Sequence, residues 1–76
     1  MDLQAAVAIA KQHVEYVFAI EAPRDLRLES FLYDDHLMVW SLTIGFTCTP
    51  RQQETRLCKL VRVSEANQAV LSIKDP

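Results

Sequence analysis

The stretch Leu37 to Phe46, Leu-Met-Val-Trp-Ser-Leu-Thr-Ile-Gly-Phe, restricts the fold of this chain more than any other. It is aliphatic, aromatic and β-branched, with no proline and no charge, which is the composition of a strand. Alternation sorts it into two faces. Met38, Trp40, Leu42, Ile44 and Phe46 make a large apolar face that must be covered. Leu37, Val39, Ser41, Thr43 and Gly45 make a smaller, mixed face. Such a segment predicts the central strand of a small antiparallel sheet.

The cover must come from the N-terminal segment. Asp2 can cap a helix, and no glycine or proline occurs from Leu3 to about Ala19. Leu3, Ala6, Val7, Ala10, Val14, Val17 and Phe18 recur at helical spacing and form one stripe. Gln4, Ala8, Lys11, Glu15 and Ala19 lie opposite and are expected in water. Ala5, Ile9, Tyr16 and Ile20 form an apolar flank beyond the stripe. Either the helix is broad-faced and lies deep on the sheet, or this flank docks a second subunit or partner.

Pro23 stops the helix and biases Ala22 away from helical geometry. Leu26 to Tyr33 alternates as a first strand, with Leu26, Leu28 and Leu32 on one side and Arg27, Glu29, Phe31 and Tyr33 on the other. Asp34-Asp35-His36 is a polar turn into the central strand. A connection containing Pro50 comes next. Thr55 to Ser64 is a third strand; alternation puts Leu57, Lys59, Val61 and Val63 on one face and Cys58, Leu60 and Arg62 on the other, an assignment that a bulge would change. Ser64 to Gln68 is a turn in which Asn67 can take a left-handed conformation. Ala69 to Lys74 is the last strand. The expectation is one α+β domain over residues 1–76, an N-terminal helix packed on a four-strand antiparallel meander.

Helix, then Val39-Trp40-Ser41-Leu42-Thr43-Ile44, then Leu60 to Ile73 resembles the PepSY-type or cystatin-like arrangement. There a helix precedes a Trp-containing strand, and a hairpin ending in spaced Val, Val-Leu and Ile closes the sheet. Trp40, Val63, Val70, Leu71 and Ile73 match that pattern, with Asn67 or Gln68 standing where the family has its turn glycine. The compact form also resembles small cytoplasmic immunity proteins that neutralise a toxin. Both resemblances imply binding and inhibition, a peptidase among the targets, rather than catalysis.

A catalytic reading finds little in the residues. The only glycine, Gly45, lies inside a strand, so no glycine loop can cradle a phosphate, and neither Cys-x-x-Cys nor His-Glu-x-x-His occurs. His13 is expected at the edge of the helix stripe and His36 in a turn, neither as a base beside a nucleophile. Asp34-Asp35-His36 offers oxygen and nitrogen ligands, but a metal site draws its ligands from separate segments, so a turn is the preferred reading. No cofactor or metal is expected.

Net charge is −2 with both signs interspersed, unlike the basic stripe of a nucleic-acid binder. No apolar run reaches the length of a membrane span, and the first residues lack a secretory signature. The expectation is therefore a cytoplasmic protein with Cys48 and Cys58 as free thiols. The alternative is a disulfide, if strand register sets the two cysteines opposite each other. Arg51, Arg56, Lys59 and Arg62 concentrate positive charge on the third strand and its loop, as a solvated face or as a match for an acidic patch.

Seventy-six residues, half of them apolar, hold more greasy surface than so small an interior absorbs. The sequence thus predicts a non-catalytic module that binds another protein and forms a homodimer. Its candidate interface comprises Ile9, Tyr16, Ile20, Val39, Arg56, Lys59 and Arg62. The competing reading is a small ligand-binding protein or enzyme with its pocket on the open sheet face.

Overall fold

A computed structural model describes all residues, 1–76. It contains helix α1 (Leu3–Val17) and four strands, β1 (Arg24–Asp34), β2 (Val39–Cys48), β3 (Thr55–Ser64) and β4 (Ala69–Lys74). The strands form one antiparallel sheet in the order β1-β2-β3-β4. The fold is the expected α+β meander with a helix on one face.

Asp2 caps α1 by accepting a 2.8 Å hydrogen bond from the Ala5 N–H. The helix ends before Ala22, which takes a left-handed φ of 50° ahead of Pro23. Small residues form the contact stripe. Ala6, Ala10 and Val14 are fully buried, letting the helix backbone sit close above Leu42, Ile44, Phe46, Cys48, Val61 and Val63. Leu3, Val7, Ile9 and Phe18 pack around this core. Phe18 meets Phe46 with ring centroids 5.2 Å apart. Val17, expected in the stripe, is instead exposed, because the helix is already unwinding into a 3-10 turn at Ala19–Glu21.

Several features depart from simple alternation, among them a register shift between Arg62 and Val63 in the β3–β4 pairing. The central strand begins two residues later than expected, since Leu37 and Met38 belong to the β1–β2 turn and Met38 has a φ of 54°. Asp34 organises that turn by accepting from the His36 and Leu37 N–H groups at 3.0 and 3.1 Å. In β1, register shifts lie between Arg24 and Arg27 and between Leu28 and Ser30. The second inserts an extra residue and turns the rest of the strand over. Phe31 and Tyr33 therefore pair with Leu42 and Trp40 on the helix side, and Leu32 pairs with Ser41 on the outer side. Plain alternation groups Leu32 with Leu28 instead. In the β3–β4 turn the left-handed residue is Gln68 (φ 51°), not Asn67.

Trp40 lies at the margin of the helix–sheet layer. It is half-buried, with its ring tilted against those of Tyr33 and Phe31 at centroid distances of 4.6 and 6.5 Å. The full burial expected for it falls to Leu42, Ile44 and Phe46 instead. A 15-residue helix is about 22 Å long, while the molecule measures 43 × 19 × 18 Å. A folded chain of this mass exposes roughly 4,700 Å², and this one exposes 5044 Å².

Candidate functional site

The residues singled out from the sequence divide among three places. Ile9 and Tyr16 come together with Gln12, His13 and Val70 around a shallow groove of about 280 Å³ between α1 and edge strand β4. It is the one cavity in the molecule. Ile9 forms its half-buried floor, Tyr16 is 80% exposed, and Ile20 is 98% exposed in the turn beyond the helix. Ile9 thus fits the broad-faced reading of the flank, while Tyr16 and Ile20 are left open to water.

Val39, expected on an uncovered outer face, is only 5% exposed and has no surface to offer a partner. It pairs with Asp34 on one side and Ser64 on the other, at the closed end of two hairpins.

The cations of β3 do not share a face. Lys59 lies on the helix side opposite Ile44, bonded to Asp75 and 5.6 Å above the Phe18 ring. Arg56 and Arg62 lie on the outer face, opposite Thr47 and Ser41. Arg56 is also neutralised. Its guanidinium donates to the Asp25 carbonyl at 2.8 Å and to Thr47 Oγ1 at 3.1 Å, and it pairs with Glu29 at 3.6 Å. Gly45 makes room for this cluster. A side chain there would meet the Glu29 carboxylate and the Arg56 guanidinium. The glycine is thus explained by a cross-strand ion pair lying over the sheet, a role that its place inside a strand does not reveal. Arg62 alone among the three has no ion-pair partner.

At the other end lies a cluster that sequence reasoning missed. The Tyr33 hydroxyl donates to Glu65 Oε2 at 2.5 Å, and the amino group of Met1 lies 3.5 Å from Glu65 Oε1. The hydrogen bond to Glu65 raises the Tyr33 pKa, with desolvation adding to it. The same bond lowers that of Glu65, against a partly opposing desolvation and with help from the amino group. The Trp40 indole Nε1 is buried beside them with no acceptor in hydrogen-bonding geometry, yet it lies near enough to favour the Glu65 charge slightly. Nothing in the spacing of Tyr33 and Glu65 signals the contact, which exists only because β1 and the β3–β4 turn meet at the same end of the sheet.

Cys48 and Cys58 are free, the first buried and the second exposed. Cys58 pairs with Gly45 and Cys48 with Thr55, so the two sit three rungs apart on opposite faces, not in the facing register that a disulfide needs. His13 lines the groove and His36 lies in the exposed β1–β2 turn. No three His, Cys, Asp or Glu side chains converge. No helix is long and apolar enough to cross a membrane. No family model matches the chain, and neither a curated protein nor a solved structure does so.

Proposed function

We propose that this chain is a non-catalytic, cytoplasmic interaction module of the accessory, adaptor or inhibitor type. It binds another protein and self-associates. The groove between α1 and β4 carries the reading. Ile9 and Val70 give it an apolar floor, Tyr16 an exposed aromatic wall, and Gln12 and His13 polar handles. Exposed aromatic side chains beside a concave apolar patch are the usual anchors of protein interfaces. At about 280 Å³ the shallow groove lies at the low end of the 300–1,000 Å³ or so of small-molecule sites. A peptidase is among the partners that the resemblance of the hydrophobic pattern suggests.

The test begins with in-cell cross-linking and mass spectrometry, followed by titration of the recovered partner against wild type and Tyr16→Glu. Tyr16 is exposed, so the variant keeps its fold. Binding weakened about tenfold or more by Tyr16→Glu supports the groove. Equal binding by the variant removes it. Native mass spectrometry showing a stoichiometric small molecule would favour the ligand-binding alternative.

A further inference from the structure

The segment Ser30–Asp34 of β1 is an open sheet edge of unusual character. Strand β1 borders only β2, so its far edge has unpaired N–H and C=O groups. Its first half is protected in the ways edges usually are: Arg24, Asp25, Arg27 and Glu29 supply charge, and both register shifts fall there. Ser30, Phe31, Leu32 and Tyr33 have neither charge nor irregularity. Phe31, on the helix side, is 55% exposed, and Leu32, on the outer side, is 68% exposed. A docked helix or loop would cover one of these faces. Only another strand in the same plane covers both while satisfying the backbone groups.

We infer that a second copy of this chain supplies that strand, the two β1 edges pairing antiparallel about a two-fold axis through Leu32. The inference gives a surface to the self-association proposed above and rests on it. The segment is self-complementary in this register. Leu32 meets Leu32 of the second copy on the outer face. Phe31 meets Tyr33 of the second copy on the helix face, twice, as an aromatic cross-strand pair. Ser30 meets Asp34 of the second copy, a hydroxyl donor facing a carboxylate, and the only charge in the segment avoids its own image. Moving the axis to Tyr33 would set Leu32 against that carboxylate. All five residues lie beyond the last register shift, so the paired stretch is regular. The contact uses the same edge on both copies and closes on itself, giving a continuous eight-strand sheet.

Sedimentation velocity over a concentration series reads the dimer. In a Cys58→Ser background, Leu32→Cys with copper–phenanthroline as oxidant reads the axis, since only a residue on it faces its own copy. Leu71→Cys, also exposed (52%) but on β4, is the control. The expected results are a wild-type dimer, a disulfide-linked dimer from Leu32→Cys but not Leu71→Cys, and a dissociation constant raised about tenfold or more by Leu32→Lys. Leu32→Lys places a charge where the monomer is already open to water, so its melting curve at concentrations below dissociation should match wild type. A dimer indifferent to Leu32→Lys and not linked through Leu32→Cys overturns this surface and leaves self-association standing. A strict monomer at high micromolar concentration removes self-association itself.

Discussion

The polar side chains at the two ends of the sheet make different demands on pH and packing. The Tyr33–Glu65 hydrogen bond needs a protonated phenol and an ionised carboxylate. Glu65 is held below its ordinary value, so its contribution is present above the unfolded carboxylate range and is lost as pH falls through the lowered value. Tyr33 is held above its ordinary value, so its contribution is present below pH 10 and is lost as pH rises through the raised one. Tyr33→Phe should therefore flatten both limbs of the stability–pH profile, as measured by urea midpoints across pH. A profile of unchanged shape would show that the bond does not form. Gly45 is a balance of two small terms. Glycine in a strand costs roughly 0.5–1 kcal/mol relative to alanine, whereas displacing the exposed Glu29–Arg56 pair costs about 0–1 kcal/mol. Gly45→Ala should stay within about 0.5 kcal/mol of wild type, but in a Glu29→Ala background it should stabilise by about 0.5–1 kcal/mol. The double-mutant cycle by chemical denaturation decides this.

At the level of elements, the layer between α1 and the sheet carries the stability, and its centre is Phe46 rather than Trp40. Phe46 is fully buried against Phe18, whereas Trp40 is only half covered. Phe46→Ala should cost about 3–5 kcal/mol and Trp40→Ala clearly less. The reverse order in thermal melts would place the core at the other end of the sheet. Turns are the weak elements. With one glycine in the chain, six other residues take positive φ, Ala22, Asp25, Met38, Arg51, Gln52 and Gln68. Each such residue costs on the order of 1 kcal/mol. Gln68 is exposed, and its φ of 51° suits glycine. Gln68→Gly should raise stability by about 0.5–1 kcal/mol without touching the core, visible as a higher denaturation midpoint at unchanged slope.

Across the whole molecule, one short helix covers the middle of a longer sheet, leaving the α1–β4 groove on one flank and the β1 edge on the other. The thiols report on the covered part. Cys58 is exposed and Cys48 is buried beneath α1. Titration of the native protein with a thiol reagent should modify Cys58 at once, and Cys48 only at the rate of opening of the helix–sheet layer. Two equally fast thiols would mean that α1 detaches readily, and the groove with it.

Composition and periodicity alone determined much of this architecture. The helix start at Asp2 and all four strands come from capping chemistry and from the periods of 3.6 and 2, which a chain carries locally. The groove pair Ile9 and Tyr16 was legible for the same reason, as a second apolar stripe on one helix. The features that the residues could not announce depend on how segments meet. The extra residue near Glu29 turns Phe31 and Leu32 over, and no local signal separates that register from plain alternation. The burial of Val39 and the three-rung offset of the cysteines depend on which hairpin closes against which. The Tyr33–Glu65 bond joins residues 32 positions apart, and only the tertiary fold, bringing β1 and the β3–β4 turn to the same end of the sheet, gives the hydroxyl its acceptor.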